Sequence, residues 1–214
     1  MQTRSLQHYR MAEITGSAHV TAGNHFDEKV QAIKEQAKAP TSVVAPATIA
    51  SLVEIAESAP KRGCFVEVGV YKGGTAFHLA RVAREQGRRI YLFDTFEGIP
   101  YTDKEMGDRH EVGDFNDVKM ADVVAAIPDA IVVKGVFPQS MIPLPLIAFV
   151  HIDADQYESI FLAVRALEPH MMKGGIMVFD DWGALEGATN AIKDLFDGDR
   201  IEITSAGKAM VRYQ

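Results

Sequence analysis

Cysteine is almost absent from this chain of 214 residues: Cys64 stands alone. A lone cysteine excludes an internal disulfide and a cysteine-rich zinc site. Placed just before an apolar stretch, it reads as a small core residue. Basic clusters are also missing. Twenty-nine acids outweigh 22 bases, giving a net charge of −7 and a pI of about 5.5, so nucleic acid is not an expected partner. No apolar run approaches the roughly 20 residues that span a membrane. The opening Met1-Gln2-Thr3-Arg4-Ser5-Leu6-Gln7-His8 has no apolar signal core. The expectation is a cytoplasmic protein with no membrane association. There is no internal repeat and no low-complexity tract. What remains is a chain with 47% hydrophobic residues, enough for one well-buried domain and too short for two ordinary ones.

Polar and aperiodic, residues 1 to about 24 read as a mobile arm. His25–Ala39 and Ala45–Ser58 carry helical spacing, the first stopped by Pro40 and the second opened by Pro46. Strand and helix patterns then alternate. Strands are expected at Cys64–Val68, Ile90–Phe93, Ala130–Val133, Leu146–Ile152 and Gly175–Phe179. Helices are expected at Thr75–Gln86, Val118–Ala126, Ser159–Leu167 and Ala184–Leu195. Ile201–Ser205 and Ala209–Tyr213 read as a closing antiparallel pair around Ala206-Gly207. Such alternation implies an α/β fold with a mostly parallel sheet covered on both faces.

Two of the strands stop abruptly at carboxylates: Phe149-Val150-His151-Ile152 runs into Asp153-Ala154-Asp155, and Ile176-Met177-Val178-Phe179 into Asp180-Asp181. Ligands of open parallel sheets bind beyond the carboxyl ends of the strands. Neighbouring strands lie about 5 Å apart, so these carboxylates would crowd and repel unless a cation sits between them. All-oxygen ligands suit a hard ion, Mg²⁺ first and Mn²⁺ or Ca²⁺ next. The competing reading is that Asp180 and Asp181 only cap the helix near Ala184. Asp155 likewise sits in a capping-box pattern, Asp155-Gln156-Tyr157-Glu158. His151 reads as a satisfied core or pocket histidine rather than a base.

A second signal is the glycine turn. Phe65-Val66-Glu67-Val68 runs into Gly69-Val70-Tyr71-Lys72-Gly73-Gly74-Thr75 and a helix, which together form a site for an anionic or ribose-bearing ligand. A nicotinamide fingerprint needs a glycine at position 71. Tyr71 stands there, and this argues against an oxidoreductase on the same architecture. Asp94, ending the second strand about 20 residues past the last glycine, suits ribose hydroxyls; the alternative is a structural turn with Asp94 as a loop cap. The acids Glu67 and Asp94 repel phosphate but tolerate a cationic cofactor such as S-adenosylmethionine. Lys72 reads as solvated, or as a partner of the cofactor carboxylate.

Thr95–Asn116 has no periodicity and is rich in Gly and Asp. Loops this long are functional or disordered, and its start at a strand end suggests an active-site lid, with a floppy insertion as the alternative. Asp103, Asp108 and Asp114 lack the glycine and glutamate of a calcium loop. Glu105, Asp108, Arg109 and Glu111 read as a solvated face. Trp182 and Tyr157, beside the carboxylates, read as stacking partners for a sugar ring or as packing.

Taken in order, Glu67 to Thr75, Phe93-Asp94-Thr95-Phe96-Glu97-Gly98-Ile99-Pro100, His151 to Ser159 and Gly174-Gly175 through Asp180-Asp181 resemble class I S-adenosylmethionine methyltransferases. The likeness is specifically to the macrocin-type sugar O-methyltransferases that include novobiocin-pathway relatives. The resemblance spans roughly residues 45–214, leaving 1–44 as an N-terminal arm and helix. It implies a Rossmann-like, doubly wound sheet of seven strands, the last antiparallel, and a function in antibiotic biosynthesis. It implies a metal, Mg²⁺ or Mn²⁺, on Asp153, Asp180 and Asp181, with Asp155 as general base. It implies a cofactor held by Glu67, Gly69 and Tyr71, by the helix start Gly73, Gly74 and Thr75, by Asp94 at the ribose, and by Thr95, Phe96 and Val136 around the adenine. The implied acceptor is a small hydroxylated molecule offering one of two vicinal hydroxyls on a sugar of a glycosylated natural product or polysaccharide precursor. A catechol offers the same oxygen pair, and a non-catalytic cofactor-binding protein is the reading outside enzymes. A homodimer through the N-terminal helices is a further expectation.

Overall fold

The computed structural model of the protein describes residues 25–33 and 39–214. The arm at residues 1–24 and the second half of the first expected helix lie outside the described residues. Residues 25–33 are helical and begin α1. There follow α2 (Pro46–Ser58), β1 (Cys64–Val68), α3 (Gly74–Glu85), β2 (Ile90–Asp94), α4 (Met120–Ala126), β3 (Ile131–Lys134), β4 (Ile147–Ile152), α5 (Tyr157–Leu167), β5 (Met171–Phe179), α6 (Glu186–Leu195), β6 (Glu202–Ile203) and β7 (Ala209–Arg212). Each expected strand and helix after Ala45 is present, with ends shifted by a few residues. Among the described residues no helix is long and apolar enough to cross a membrane.

Seven strands form one sheet in the order β3-β2-β1-β4-β5-β7-β6. The first five are mutually parallel. β7 runs antiparallel to β5 and to β6, so the closing hairpin inserts its second strand beside β5. β5 begins earlier than its apolar run. Met171 pairs with Ile147, the register shifts, and Ile176 then pairs with Phe149. The glycines at 174 and 175 sit within that irregularity, where a strand interior tolerates an unpaired residue.

Side chains alternate between the two faces with the period of two that strands impose. Phe65, Leu92, Phe149 and Val178 meet α2 and α3 on one face. Val66, Val68, Phe93, Val150, Ile152 and Phe179 meet α5 and α6 on the other. β1, β4 and the second half of β5 are buried on both faces, as parallel strands between helical layers must be. Each fully buried Phe, Leu or Ile stabilises the fold by about 1.5–3 kcal/mol relative to exposure, and Phe65, Phe93, Phe149 and Phe179 are all completely buried. Glu67 and His151 share the α2/α3 face with Phe65 and Phe149, so the alternation itself drives two polar groups inside.

Candidate active site

The strands end together. Val68 pairs with both Phe93 and Ile152, and Ile152 with Phe179. Past that line the backbone amide of Asp153 donates to the Val68 carbonyl at 2.9 Å, and that of Asp180 to the Ile152 carbonyl at 3.0 Å. This continuation of the ladder sets the carboxylates side by side. Ligand atoms of Asp153, Asp180 and Asp181 lie within 4.8 Å of one another, the one such group of three among the described residues. The Asp181 carboxylate also accepts the backbone N–H of Asp155 at 3.1 Å, which ties Asp155 to the trio.

Like charges at this spacing are costly when buried. Burial and then Asp155 and Asp180 push the Asp181 carboxyl up to about 7. Burial, Asp180 and Asp94 push Asp155 up to about 6. Asp153 is held well above the carboxylate range by burial and by Asp181, Asp180 and Asp155. One cation offsets them: Lys208, from the hairpin, donates to the Asp180 carbonyl and reaches its carboxylate at 3.1 Å. Three carboxylates against one ammonium leave the oxygen donors and the charge deficit that a hard divalent cation satisfies. Their spread matches metal–oxygen distances of about 2.1–2.4 Å, so the residues fit a metal.

Below the trio, His151 Nδ1 and Glu67 Oε1 are 2.9 Å apart and both side chains are 1% exposed. His151 is thus buried, as its strand position suggests, but satisfied on one side only: among the described residues its Nε2 has no hydrogen-bond partner and lies 4.0 Å from Asp180. Glu67 faces this partner and does not border the cleft described next. Burial raises the Glu67 carboxyl and the histidine opposes the rise.

A cleft of about 830 Å³, counted to its opening into solvent, runs from the glycine turn to Asp153 of the trio; Asp180 and Asp181 do not border it. Gly69, Tyr71, Asp94, Thr95, Val136, Asp153 and Asp155 border it. Gly69 is required twice: its φ of +85° suits glycine, and a Cβ there would overlap the Asp153 carbonyl. Gly73, also left-handed, caps α3, whose first residues Gly74 and Thr75 are buried. Asp94 binds the turn to β2. Its carboxylate accepts the amides of Val70 and Tyr71 at 2.7 and 2.8 Å and that of Phe96 at 2.6 Å. It is a loop cap with about one acceptor position of four unused. Tyr71, Phe96, Phe115 and Asp155 all adopt positive φ, between 49° and 63°. Three of them, Tyr71, Phe115 and Asp155, line the cleft, and left-handed backbone in side-chain-bearing residues is the kind of strain that gathers at functional sites; Phe96 is buried and does not border it. Lys72 turns away from the cleft to Asp117 at 2.6 Å, and the Tyr71 hydroxyl donates to the same carboxylate.

The 95–116 loop is tied down, not floppy. Ile99 and the Gly113–Asp114 segment exchange two backbone hydrogen bonds. Asp108 is 4% exposed, and its placement corrects the solvated-face reading. One carboxylate oxygen accepts the Tyr157 amide at 2.7 Å, capping α5, and the other accepts the Asp103 amide at 2.9 Å. The capping box expected at Asp155 is therefore not formed; the cap comes from the lid, about 50 residues upstream. Gly187 leaves room for that carboxylate. Fully buried Gln156 donates to the carbonyls of Tyr101 and His110. Tyr157 stacks on Phe161 and bonds Asp194, and Trp182 packs against the α5/α6 core under Lys193, so neither borders the cleft. Sequence reasoning misses Asp108, His110, Gln156 and Asp117. The only signal for them is their place in, or beside, a loop that follows a strand end.

Comparison with known proteins identifies the family. The macrocin-O-methyltransferase (TylF) family matches residues 11–205. The chain belongs to that family. The match reaches into the segment set apart above as 1–44. A curated relative from Streptomyces olivaceus, 8-demethyl-8-(2,3-dimethoxy-alpha-L-rhamnosyl)-tetracenomycin-C 4'-O-methyltransferase, is 30% identical over 150 residues, 62% of this chain and 57% of the relative. The chain thus spans little more than half the length of that relative. Among solved structures, the O-methyltransferase NovP superposes with a TM-score of 0.65 at 22% identity over 78% of each chain. The calicheamicin methyltransferase CalS11 does so with a TM-score of 0.63 at 18% identity, over 100% of this chain and 99% of that one. These likenesses support the Rossmann-like methyltransferase fold.

Proposed function

We propose that the protein is a Mg²⁺-dependent O-methyltransferase that moves a methyl group from S-adenosylmethionine to one of two vicinal hydroxyls on a sugar of a glycosylated natural product. The observation that carries this is the cleft itself: it is bordered by the glycine turn, by Asp153 of the crowded trio and by the raised Asp155. Membership of the macrocin family supports the reaction class, and the rhamnosyl 4'-O-methyltransferase relative supports a deoxysugar acceptor.

S-Adenosylmethionine supplies an electrophilic methyl on a sulfonium, and a divalent ion on Asp153, Asp180 and Asp181 supplies a centre that orients vicinal oxygens and lowers a hydroxyl pKa. The chain does the rest. The Gly69–Thr75 turn would hold the methionine end, with Gly69 allowing the turn to pack against the Asp153 carbonyl. Asp94, which accepts three amides, keeps an acceptor position for a ribose hydroxyl, and Thr95 and Val136, which border the cleft, would wall the adenine. Asp155 faces the acceptor and takes its proton. Burial and neighbouring acids raise it toward neutrality, which suits a base at physiological pH. The hydroxyl oxygen that loses its proton to Asp155 would be the one that receives the methyl, the sulfonium leaving as a neutral thioether.

The test is turnover of S-adenosyl-[methyl-³H]methionine with rhamnosides bearing free vicinal hydroxyls, and with catechol, in Mg²⁺ and in EDTA. Label in a rhamnoside, lost in EDTA, supports the reading. Transfer to catechol alone, or transfer indifferent to EDTA, rejects it.

A further inference from the structure

Beside Asp155 stands a residue of the 95–116 loop. His110 Nε2 lies 3.5 Å from Asp155 Oδ1, and His110 Nδ1 lies 3.6 Å from Asp114 Oδ2. The imidazole is thus suspended between two carboxylates. It is also gripped on its other sides. Its ring meets Phe115 edge-on at 5.0 Å, and Phe115 meets Tyr71 at 5.5 Å. Its carbonyl accepts the Gln156 amide at 3.1 Å, and Gln156 is itself fully buried. Asp108 holds the rest of the lid on the first turn of α5. So the start of the helix behind Asp155 carries the anchors that bring His110 to Asp155.

Asp155 needs such a partner. Its backbone is fixed in the left-handed region and its amide is spent on Asp181. Among the described residues, its carboxylate has no hydrogen bond within the protein, and His110 is its one basic neighbour within ion-pair distance. Without that neighbour the side chain has no reason to present one oxygen rather than the other to the acceptor. Catalytic contacts in unliganded enzymes are often long and tighten when the site fills, which fits a separation of 3.5 Å. Accordingly we infer that His110 is a positioning residue: it holds one oxygen of the Asp155 carboxylate so that the other faces the acceptor hydroxyl. The inference rests on Asp155 being the base proposed above. The lid is then part of the catalytic apparatus, and its closure and the aim of the base are one event.

The experiment reads Asp155 directly. Protein labelled with ¹³C at the aspartate carboxyl carbon is followed by NMR, free and with saturating S-adenosylhomocysteine and Mg²⁺. Asp155→Asn assigns the resonance. His110→Ala is expected to shift and broaden the Asp155 signal. His110→Gln, which returns an N–H near the Nε2 position, is expected to restore it. S-Adenosylhomocysteine affinity should stay within about twofold in both variants, showing that the cleft is intact. In turnover the same loss of aim predicts a kcat about 10–100-fold lower with KM unchanged, a fraction of what a general base supplies, and no further loss when His110→Ala is added to Asp155→Asn. An Asp155 resonance that His110→Ala leaves unmoved would overturn the inference, as would His110→Gln behaving like His110→Ala. Failure of the wild type to bind S-adenosylhomocysteine would reject the proposed function instead, and the contact would still be read in the free protein.

Discussion

Raising the pH should weaken the metal-free protein and leave the metal-bound protein largely unaffected. The perturbation is a shift from pH 5 to pH 8 in EDTA. Folding raises the Asp155 carboxyl from 3.8 to about 6 and the Asp181 carboxyl from 3.8 to about 7. A raised acid favours its protonated form in the native state. Its contribution is therefore complete below the unfolded value and is lost as pH climbs through the folded one. The loss begins at about pH 4 and is complete by about pH 8, so the step from pH 5 takes in its upper part. About one unit of the Asp155 rise and two of the Asp181 rise remain above pH 5, which at about 1.4 kcal/mol per unit sum to about 4 kcal/mol. Asp155 is among the causes of the Asp181 rise, so the shared part counts once, and a loss of about 3 kcal/mol is the working figure. For a chain of this size that is a fall in Tm of about 6–12 °C. Calorimetric melts in EDTA and in 5 mM Mg²⁺ measure it. Mg²⁺ should restore most of the loss at pH 8 and little at pH 5, and Asp181→Asn should flatten the EDTA curve. An EDTA sample equally stable at both pH values, or a Mg²⁺ effect independent of pH, would refute the electrostatic account of the site.

Three substitutions extend the account. Asp155→Asn should lower kcat by at least 100-fold while calorimetry finds S-adenosylhomocysteine affinity within about threefold of wild type; retained turnover would remove Asp155 from its role. Gly69→Ala should both destabilise the fold by about 2–4 kcal/mol and abolish cofactor binding, because the new methyl overlaps the Asp153 carbonyl; a folded variant that binds normally would contradict the close approach. Asp108→Ala should cost about 1–3 kcal/mol through the lost α5 cap and the stranded amides. It should also speed proteolysis within 95–116, and unchanged cleavage would show that the lid is held by other means.

Elements with a strong period are legible in the amino-acid sequence. The apolar runs at 64–68, 147–152 and 176–179 form strands because burial on both faces demands continuous apolar sequence, and the carboxylates that end them fall together because neighbouring parallel strands stop at one rim. Cys64 is buried as its place before an apolar strand suggests, and the glycine turn does join that strand to a helix. The lid does not. Asp108 and His110 belong to a stretch without periodicity, and their partners, Tyr157 and Asp155, lie some 45 residues away. Local pattern cannot reveal which distant amide a carboxylate will cap. The same limit explains Asp155-Gln156-Tyr157-Glu158, a good capping box on paper. The left-handed turn at Asp155 and its bond to Asp181 point the residue to the cleft and leave the cap to Asp108. Tyr71 reads as an obstruction when compared with a nicotinamide fingerprint. It is accommodated by the same backbone region a glycine would use, with its ring turned onto Phe115.

The most direct test of the central claim is a calorimetric titration of the full chain with S-adenosylhomocysteine, once in Mg²⁺ and once in EDTA. The account predicts binding in both, with similar affinity, because the glycine turn and Asp94 hold the cofactor while the three carboxylates serve the acceptor. Absence of binding in both conditions would contradict the methyltransferase reading, and binding lost in EDTA would contradict the division of the cleft into a cofactor end and a metal end.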